Sequence, residues 1–243
     1  MSSAYLLVSH GSKDSRPNLA IEELARLLFE KLTAGKDPEK HLVGVGTLEF
    51  NSQSLSGQIK DFAQRAVVCD CKSIQVTPLF LLPGVHLMSD LPKEVKLAQD
   101  SLGNDHPIKI KPYLGSHAMM WKLLALGMAQ ISAEAFILLA HGSRRANSHH
   151  PVETIANRLG AFSAYWSVPP SLEARVIDLV SAGYQHIGIL PYFLFSGGIT
   201  DEIVITVERL TLKFPEIKLE LASPLGVTPQ LVDIIWDLAT QEE

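Results

Sequence analysis

The sequence predicts an α/β protein: two similar doubly wound parallel-sheet lobes, related by internal duplication, with a cleft between them. Three observations carry that reading. Short, nearly all-apolar segments alternate with longer segments of helical period. A set of landmarks recurs in the second half of the chain in the same order. Histidines and an acid stand just past apolar segments, at the carboxyl ends of strands, where open parallel sheets hold their ligands.

The elements follow in order. Residues 4–8, Ala-Tyr-Leu-Leu-Val, form a short buried strand, left by the turn Ser9-His10-Gly11-Ser12. From Pro17 to Thr33 the apolar positions Leu19, Ile21, Leu24, Leu27, Leu28 and Leu32 have helical spacing, which Gly35 ends. Leu42-Val-Gly-Val-Gly-Thr-Leu48 is a second strand with Glu49 at its carboxyl end, and residues 54–67 a helix. The run from Ile74 to Leu82 is a strand buried on both faces, stopped by Pro83-Gly84, with His86 immediately beyond. Residues 91–102 make a helix, 108–110 a fourth strand and 117–129 a last helix. Strand and helix alternate throughout, as in a doubly wound parallel sheet.

The pattern then restarts. Ala135-Phe-Ile-Leu-Leu-Ala-His141-Gly142-Ser143-Arg144 repeats the first strand and its turn, at an offset of 131 residues between His10 and His141. Pro191-Tyr-Phe-Leu-Phe-Ser-Gly197 repeats Pro78-Leu-Phe-Leu-Leu-Pro-Gly84, and Ser223-Pro-Leu-Gly226 echoes Pro112-Tyr-Leu-Gly115. The lobes are therefore placed at 1–131 and 132–243. Aligned from the two prolines, His86 falls opposite Ile199. Counted back from Ser54 and Ser171, Glu49 falls opposite Trp166. Only the first-strand histidine recurs, so the first lobe is expected to carry the reactive set and the second to be a degenerate copy.

Composition narrows the function. Hydrophobic residues make up 47% and charged residues 19%, a globular profile, and the net charge of −5 argues against a nucleic-acid partner. The amino terminus has neither the basic region nor the apolar length of a signal peptide, and every apolar run is broken short of a membrane span, so a cytoplasmic protein without a membrane partner is expected. Cys69 and Cys71 are spaced too tightly for an ordinary disulfide; they read as reduced thiols in a loop, and two ligands do not close a metal site.

His10, Glu49 and His86 each follow a different strand and so can converge. Two imidazoles and a carboxylate suit a borderline divalent ion such as Fe²⁺ or Co²⁺, and equally suit proton removal near neutral pH. Against this stand blander roles: a turn-bonding His10, or a solvated or helix-capping Glu49. Gly11 lets the backbone approach a ligand, Ser12 and the free N–H groups of the helix start can hold an anion, and Lys13, Arg16, Arg144 and Arg145 can pair with carboxylates or be ordinary solvated charge. His117, His149 and His150 stand at helix starts without forming a shared site, and Trp121, Trp166 and Trp236 are too scattered for a stacking platform.

The combination Val8-Ser-His10-Gly-Ser12, Leu48-Glu49-Phe50 and Pro78-Leu-Phe-Leu-Leu-Pro-Gly-Val-His86-Leu-Met-Ser-Asp90 closely resembles the sirohydrochlorin chelatases, small type II chelatases that insert Fe²⁺ or Co²⁺ into a modified tetrapyrrole. The resemblance covers essentially the whole chain, in the family's two-copy form. It implies that His10 and His86 take metal and protons and that Glu49 assists as a catalytic acid/base. It further implies a tetrapyrrole rich in carboxylates lying between the lobes, touched by Gly11, Ser12, Lys13, Arg16, Gly84, His141, Ser143, Arg144 and Gly197. On this reading no cofactor is resident and the metal is a substrate. Fe²⁺ is favoured, for siroheme biosynthesis, and the chain is a monomer or weak dimer. The alternatives are a cobaltochelatase of cobalamin biosynthesis and a two-lobe protein that binds tetrapyrrole or metal without turnover. Phosphoryl transfer and serine hydrolysis are disfavoured, because neither a phosphate-binding glycine loop nor a Gly-x-Ser-x-Gly elbow occurs.

Overall fold

The computed structural model describes residues 3–35, 37–103, 106–145 and 148–241. Two four-stranded, wholly parallel sheets are formed, each by one half of the chain. The first contains β1 (Ser3–Ser9), β2 (Leu42–Thr47), β3 (Ser73–Pro78) and β4 (Ile108–Ile110) in the order β2-β1-β3-β4. The same half of the chain forms the helices α1 (Ser15–Thr33), α2 (Leu55–Val68), α3 (Leu91–Leu102) and α4 (Met120–Met128). The second contains β5 (Ala135–Ala140), β6 (Phe162–Tyr165), β7 (His186–Pro191) and β8 (Lys218–Leu221) in the matching order β6-β5-β7-β8, with α5 (His150–Leu159), α6 (Leu172–Ser181), α7 (Gly198–Lys213) and α8 (Pro229–Thr240). The duplicated doubly wound fold read from the sequence is therefore present.

Alternation along the central strands explains their composition. Ala4, Leu6 and Val8 of β1 and Ile74 and Val76 of β3 point to one face, where they pack on Leu55, Ile59 and Phe62 of α2 and on Leu91, Val95 and Ala98 of α3. The alternate residues Leu7, Gln75 and Thr77 are buried as well, so both faces are covered. Gly44 is required by this packing. A β-carbon there would sit 2.6 Å from Cε2 of Phe62, so α2 lies close on β2 only because the strand has no side chain at that point.

One boundary differs from expectation. The apolar run that predicts a strand to Leu82 leaves the sheet after Pro78; Leu79 still donates its N–H to the Val8 carbonyl at 2.7 Å, and the Phe80 carbonyl then accepts from Gly115. Leu79 and Phe80 remain apolar because they pack under the end of the sheet, and burial of a loop looks, in a sequence, like more strand.

The sequence repeat and the compact units divide the chain at different places. One unit comprises Met1–His117 with Val227–Glu243, the other Ala118–Gly226. Each copy thus contributes its last helix to the other unit. In the first unit α8 buries Leu231, Ile235 and Leu238, and is held by an ion pair from Lys31 to Asp233, by His117 Nε2 at 2.8 Å from Asp237, and by the buried Lys111 ammonium on the Gln241 carbonyl. Lysine at that end complements the helix dipole. In the second unit α4 packs on α5 and β7, with the Arg158 guanidinium 4.7 Å above the Trp121 ring. Among the described residues no helix is long and apolar enough to cross a membrane.

The exchange makes a prediction. Ile235, fully buried on α8, should cost about 3 kcal/mol when cut to alanine, lowering Tm by roughly 6–12 °C for a chain of this size. Hydrogen exchange should speed up in β3, which α8 contacts, and not in β7. Faster exchange in β7 instead would contradict the assignment of α8 to the first unit.

Candidate metal centre

Three loops at the carboxyl ends of β1, β2 and β3 bring His10, Glu49 and His86 together, with their donor atoms all within 4.8 Å of one another. Among the described residues this is the one cluster of three or more groups of the kind that ligate metals. Their side chains are 42%, 45% and 38% exposed, so the donors are open to an incoming ion.

Backbone pairing sets the first two residues. Beyond the last strand residues, Leu48 donates to the Ser9 carbonyl at 3.0 Å and Glu49 to that of His10 at 2.9 Å, so the β1–β2 pairing continues two residues into the loops. This places Glu49 beside His10, with Oε2 3.8 Å from Nε2. Gly11 makes the approach possible. It lies at φ +94°, and a β-carbon there would stand 2.1 Å from the Glu49 carbonyl oxygen.

His86 is set by a different device. Instead of starting a regular helix, residues His86–Asp90 form a single π-helical turn ahead of α3, in which Leu91 donates to the His86 carbonyl five residues back. Such turns are rare and recur at functional sites. Here the turn stacks Asp90 over His86, and Nδ1 meets Oδ2 at 2.9 Å. The His-x-x-x-Asp spacing is visible in the sequence, yet the role of Asp90 went unread there because it needs the turn to bring the groups together.

These contacts determine where the lone pairs point. A carboxylate can only accept, so Nδ1 of His86 donates to Asp90; a carbonyl can only accept, so Nδ1 of His10 donates to the Gly11 oxygen at 3.2 Å. The two Nε2 atoms face each other at 3.1 Å with the rings edge to face, a hydrogen bond in which one Nε2 carries the proton and the other accepts it. The contact needs a cation between the two nitrogens, either that proton or a metal ion in its place. A metal bound to both at about 2.0–2.1 Å would see them at roughly 95–100°, as adjacent ligands.

The expected ligand-contacting residues fare differently. The Ser12 hydroxyl oxygen accepts from Asp14 N at 3.0 Å, and Asp14 caps α1 by accepting from Arg16 N at 2.9 Å, so the anion expected at this helix start is supplied by the chain itself. Arg16 is committed to the same carboxylate through Nε at 3.1 Å, and its hydrogen bonds hold the Asp14 carboxyl down at about 2. Lys13 stands with its ammonium 5.7 Å from the Phe50 ring. Gly84 has open space where a β-carbon would be, and its carbonyl accepts from Met88. In the second unit His141 is exposed, Arg144 is exposed, Ser143 Oγ accepts from Arg145 N at 3.2 Å, and Gly197 caps α7 with Thr200 Oγ1 accepting its N–H at 2.8 Å.

The copies also align differently from the sequence count. Trp166 donates to Ala140 and Ser167 to His141, the same pair of bonds that Leu48 and Glu49 make. Ser167, not Trp166, therefore stands opposite Glu49, and its hydroxyl donates to the His141 carbonyl at 2.8 Å. The loop before the helix cap Ser171 is one residue shorter than that before Ser54, which an ungapped count cannot register. Ile199 does stand opposite His86: Asp201 bonds back to Gly197 as Met88 does to Gly84.

The CbiX family model matches residues 4–130 and again residues 135–242. A sirohydrochlorin cobaltochelatase of Priestia megaterium is 23% identical over 252 residues, covering 97% of this chain and 78% of that protein. Of solved structures, SirB from Bacillus subtilis with Fe³⁺ superimposes with a TM-score of 0.79 at 20% identity, covering 99% of this chain and 96% of that one. The sirohydrochlorin chelatase SirB from Bacillus subtilis subspecies spizizenii in complex with cobalt gives 0.74 at 22% identity, covering 98% and 94%. At these identities the structural likenesses speak for the fold.

Titration with Co²⁺ should fill one tight site per chain. His10→Ala or His86→Ala should abolish it, and His141→Ala should leave it unchanged, since its neighbour Ser167 offers no carboxylate. A second tight equivalent that disappears in His141→Ala would show that the second copy also binds.

Proposed function

Because the chain belongs to the CbiX family, we propose that it is a chelatase inserting a divalent metal, Fe²⁺ or Co²⁺, into sirohydrochlorin with release of two protons. The observation that carries this reading is the pair of opposed Nε2 atoms, joined by a proton that a metal ion can replace, with Glu49 beside them: the site is made to exchange one cation for another. Metal insertion demands that exchange. The ion must shed water and bind the macrocycle nitrogens while two N–H protons leave, and all of it must happen on one face of the ring.

His10 and His86 hold the incoming ion through Nε2. As the macrocycle nitrogens take over coordination, the freed imidazole nitrogens accept the displaced protons, and Glu49, next to His10 and open to solvent, passes them outward. Asp90 keeps His86 in the tautomer whose lone pair faces the ion, as a carboxylate behind a ligating histidine commonly does. Imidazole and carboxylate donors suit both ions, so the site accepts either and supply determines which is used.

Incubating the protein anaerobically with metal-free sirohydrochlorin and Fe²⁺ or Co²⁺, and following the absorbance of the macrocycle, tests this directly. Insertion should proceed with both ions, and His86→Ala should slow it by about 10²–10⁴-fold. Unchanged insertion by His86→Ala would end the proposal. Asp90→Asn, which can offer an N–H where the ring must donate, should weaken metal binding by about 10–100-fold with the fold intact.

A further inference from the structure

Phe50 combines features that do not belong together in an ordinary loop residue. Its backbone is left-handed, at φ +58°, a conformation that bulky side chains seldom adopt. Its neighbour Asn51 is a residue type that tolerates that conformation far better, and does not take it. The Phe50 side chain is 55% exposed, so burial does not compensate.

The surrounding loop holds this geometry in place. The Gln58 side chain accepts from Thr47 N at 3.0 Å and donates to the Thr47 and Gln53 carbonyls, each at 3.0 Å. Asn51 Oδ1 accepts from Gln53 N at 3.1 Å. Strain maintained by its surroundings and not relieved by packing is a mark of a functional position. The phenyl ring lies 6.1 Å from the His10 imidazole, tilted by 39°, and 5.7 Å from the Lys13 ammonium. Two more large apolar side chains, Val85 and Met88, are exposed within two residues of His86. The metal donors are thus bordered by an exposed aromatic face, apolar side chains and a cation.

We propose that Phe50 is a binding residue for the flat macrocycle: one edge of the conjugated ring stacks on its phenyl face, and Lys13 pairs with a carboxylate on the macrocycle rim. This rests on the chelatase reading above and sharpens it by naming what holds the organic substrate independently of the metal. Aromatic faces stack favourably at centroid separations of about 4.5–7 Å, and the Lys13 ammonium, which stands over the phenyl ring, can swing onto an acidic substituent of the planar ligand that takes its place.

The test compares Phe50→Gly, Phe50→Tyr and Lys13→Gln with wild type in insertion kinetics, Co²⁺ binding without tetrapyrrole, and thermal melting. Phe50→Gly should raise KM for sirohydrochlorin about tenfold, the scale of one lost aromatic contact, with kcat and Co²⁺ affinity unchanged. Its Tm should not fall, since glycine takes the left-handed backbone without strain. Phe50→Tyr should restore KM. Lys13→Gln should raise KM at low ionic strength and not in about 1 M salt, where exposed charge pairs are screened. With wild type active, an unchanged KM in Phe50→Gly, or a lower Tm with unchanged KM, overturns the platform alone. Loss of Co²⁺ affinity in Phe50→Gly would also overturn it, by showing that Phe50 acts through His10. A wild type that inserts no metal overturns the proposed function and the platform together.

Discussion

The structure of the first unit is arranged around two imidazole nitrogens held so close that a cation, a proton or a metal ion, must lie between them. Each ring is oriented by an acceptor on its far side, a backbone carbonyl for His10 and a carboxylate for His86, so neither can turn its N–H inward without losing a hydrogen bond. At 3.1 Å the two nitrogens are joined by a proton, as a hydrogen bond, or by a metal ion that replaces it. The surrounding features, Gly11 at its left-handed turn, the extended β1–β2 pairing and the π-helical turn, each remove one way for the pair to relax apart.

The second copy shows what the scaffold does when that demand is absent. It retains the positive-φ glycine, Gly142 at +81°, and the same two backbone bonds from the next strand. In place of the carboxylate stands Ser167, whose hydroxyl bonds to a nearby carbonyl. In place of His86 stands Ile199, and there α7 begins as a regular helix capped by Gly197 and Thr200, without a π turn. The comparison within one chain associates the unusual turn with the histidine and not with the fold, which builds both sheets in the same order without it.

Most of the architecture was legible in the sequence because it depends on local, periodic signals. Strands buried on both faces write continuous apolar runs, helices write the 3.6-residue period, and the duplication writes itself twice. His10, Glu49 and His86 were legible because a parallel sheet collects strand ends at one edge, so three separated residues can be assigned to one place without knowing any side-chain direction. What escaped was whatever depends on a count of one residue or on a distant partner. The shorter loop before Ser171 shifted Trp166 into the position that Ser167 holds. The exchange of α4 and α8 escaped because an amphipathic helix declares that it has an apolar face, not which sheet will receive it. The pairing of Arg16 and Ser12 with Asp14 was not legible because Asp14 reads equally well as a surface acid.

The site loops follow a consistent physical logic. A chain free to minimise its own energy would place asparagine or glycine at the left-handed position after Glu49, start the helix at His86 with an ordinary cap, and bury its large apolar side chains. It does none of these near the three donors: Phe50 is left-handed and exposed, His86 opens a π turn, and Val85 and Met88 face solvent. Elsewhere in the same unit Asp14 and Ser54 cap helices and the core faces are closed, while Asp70 is also left-handed and Val68 and Leu19 are exposed. Several departures gathered around one set of donors are where local sequence reasoning should fail if that edge is shaped for a ligand. Here they lie beside the donors, so that apolar and aromatic surface and cation-accepting nitrogens stand together, as the proposed flat, acidic ring and its metal require.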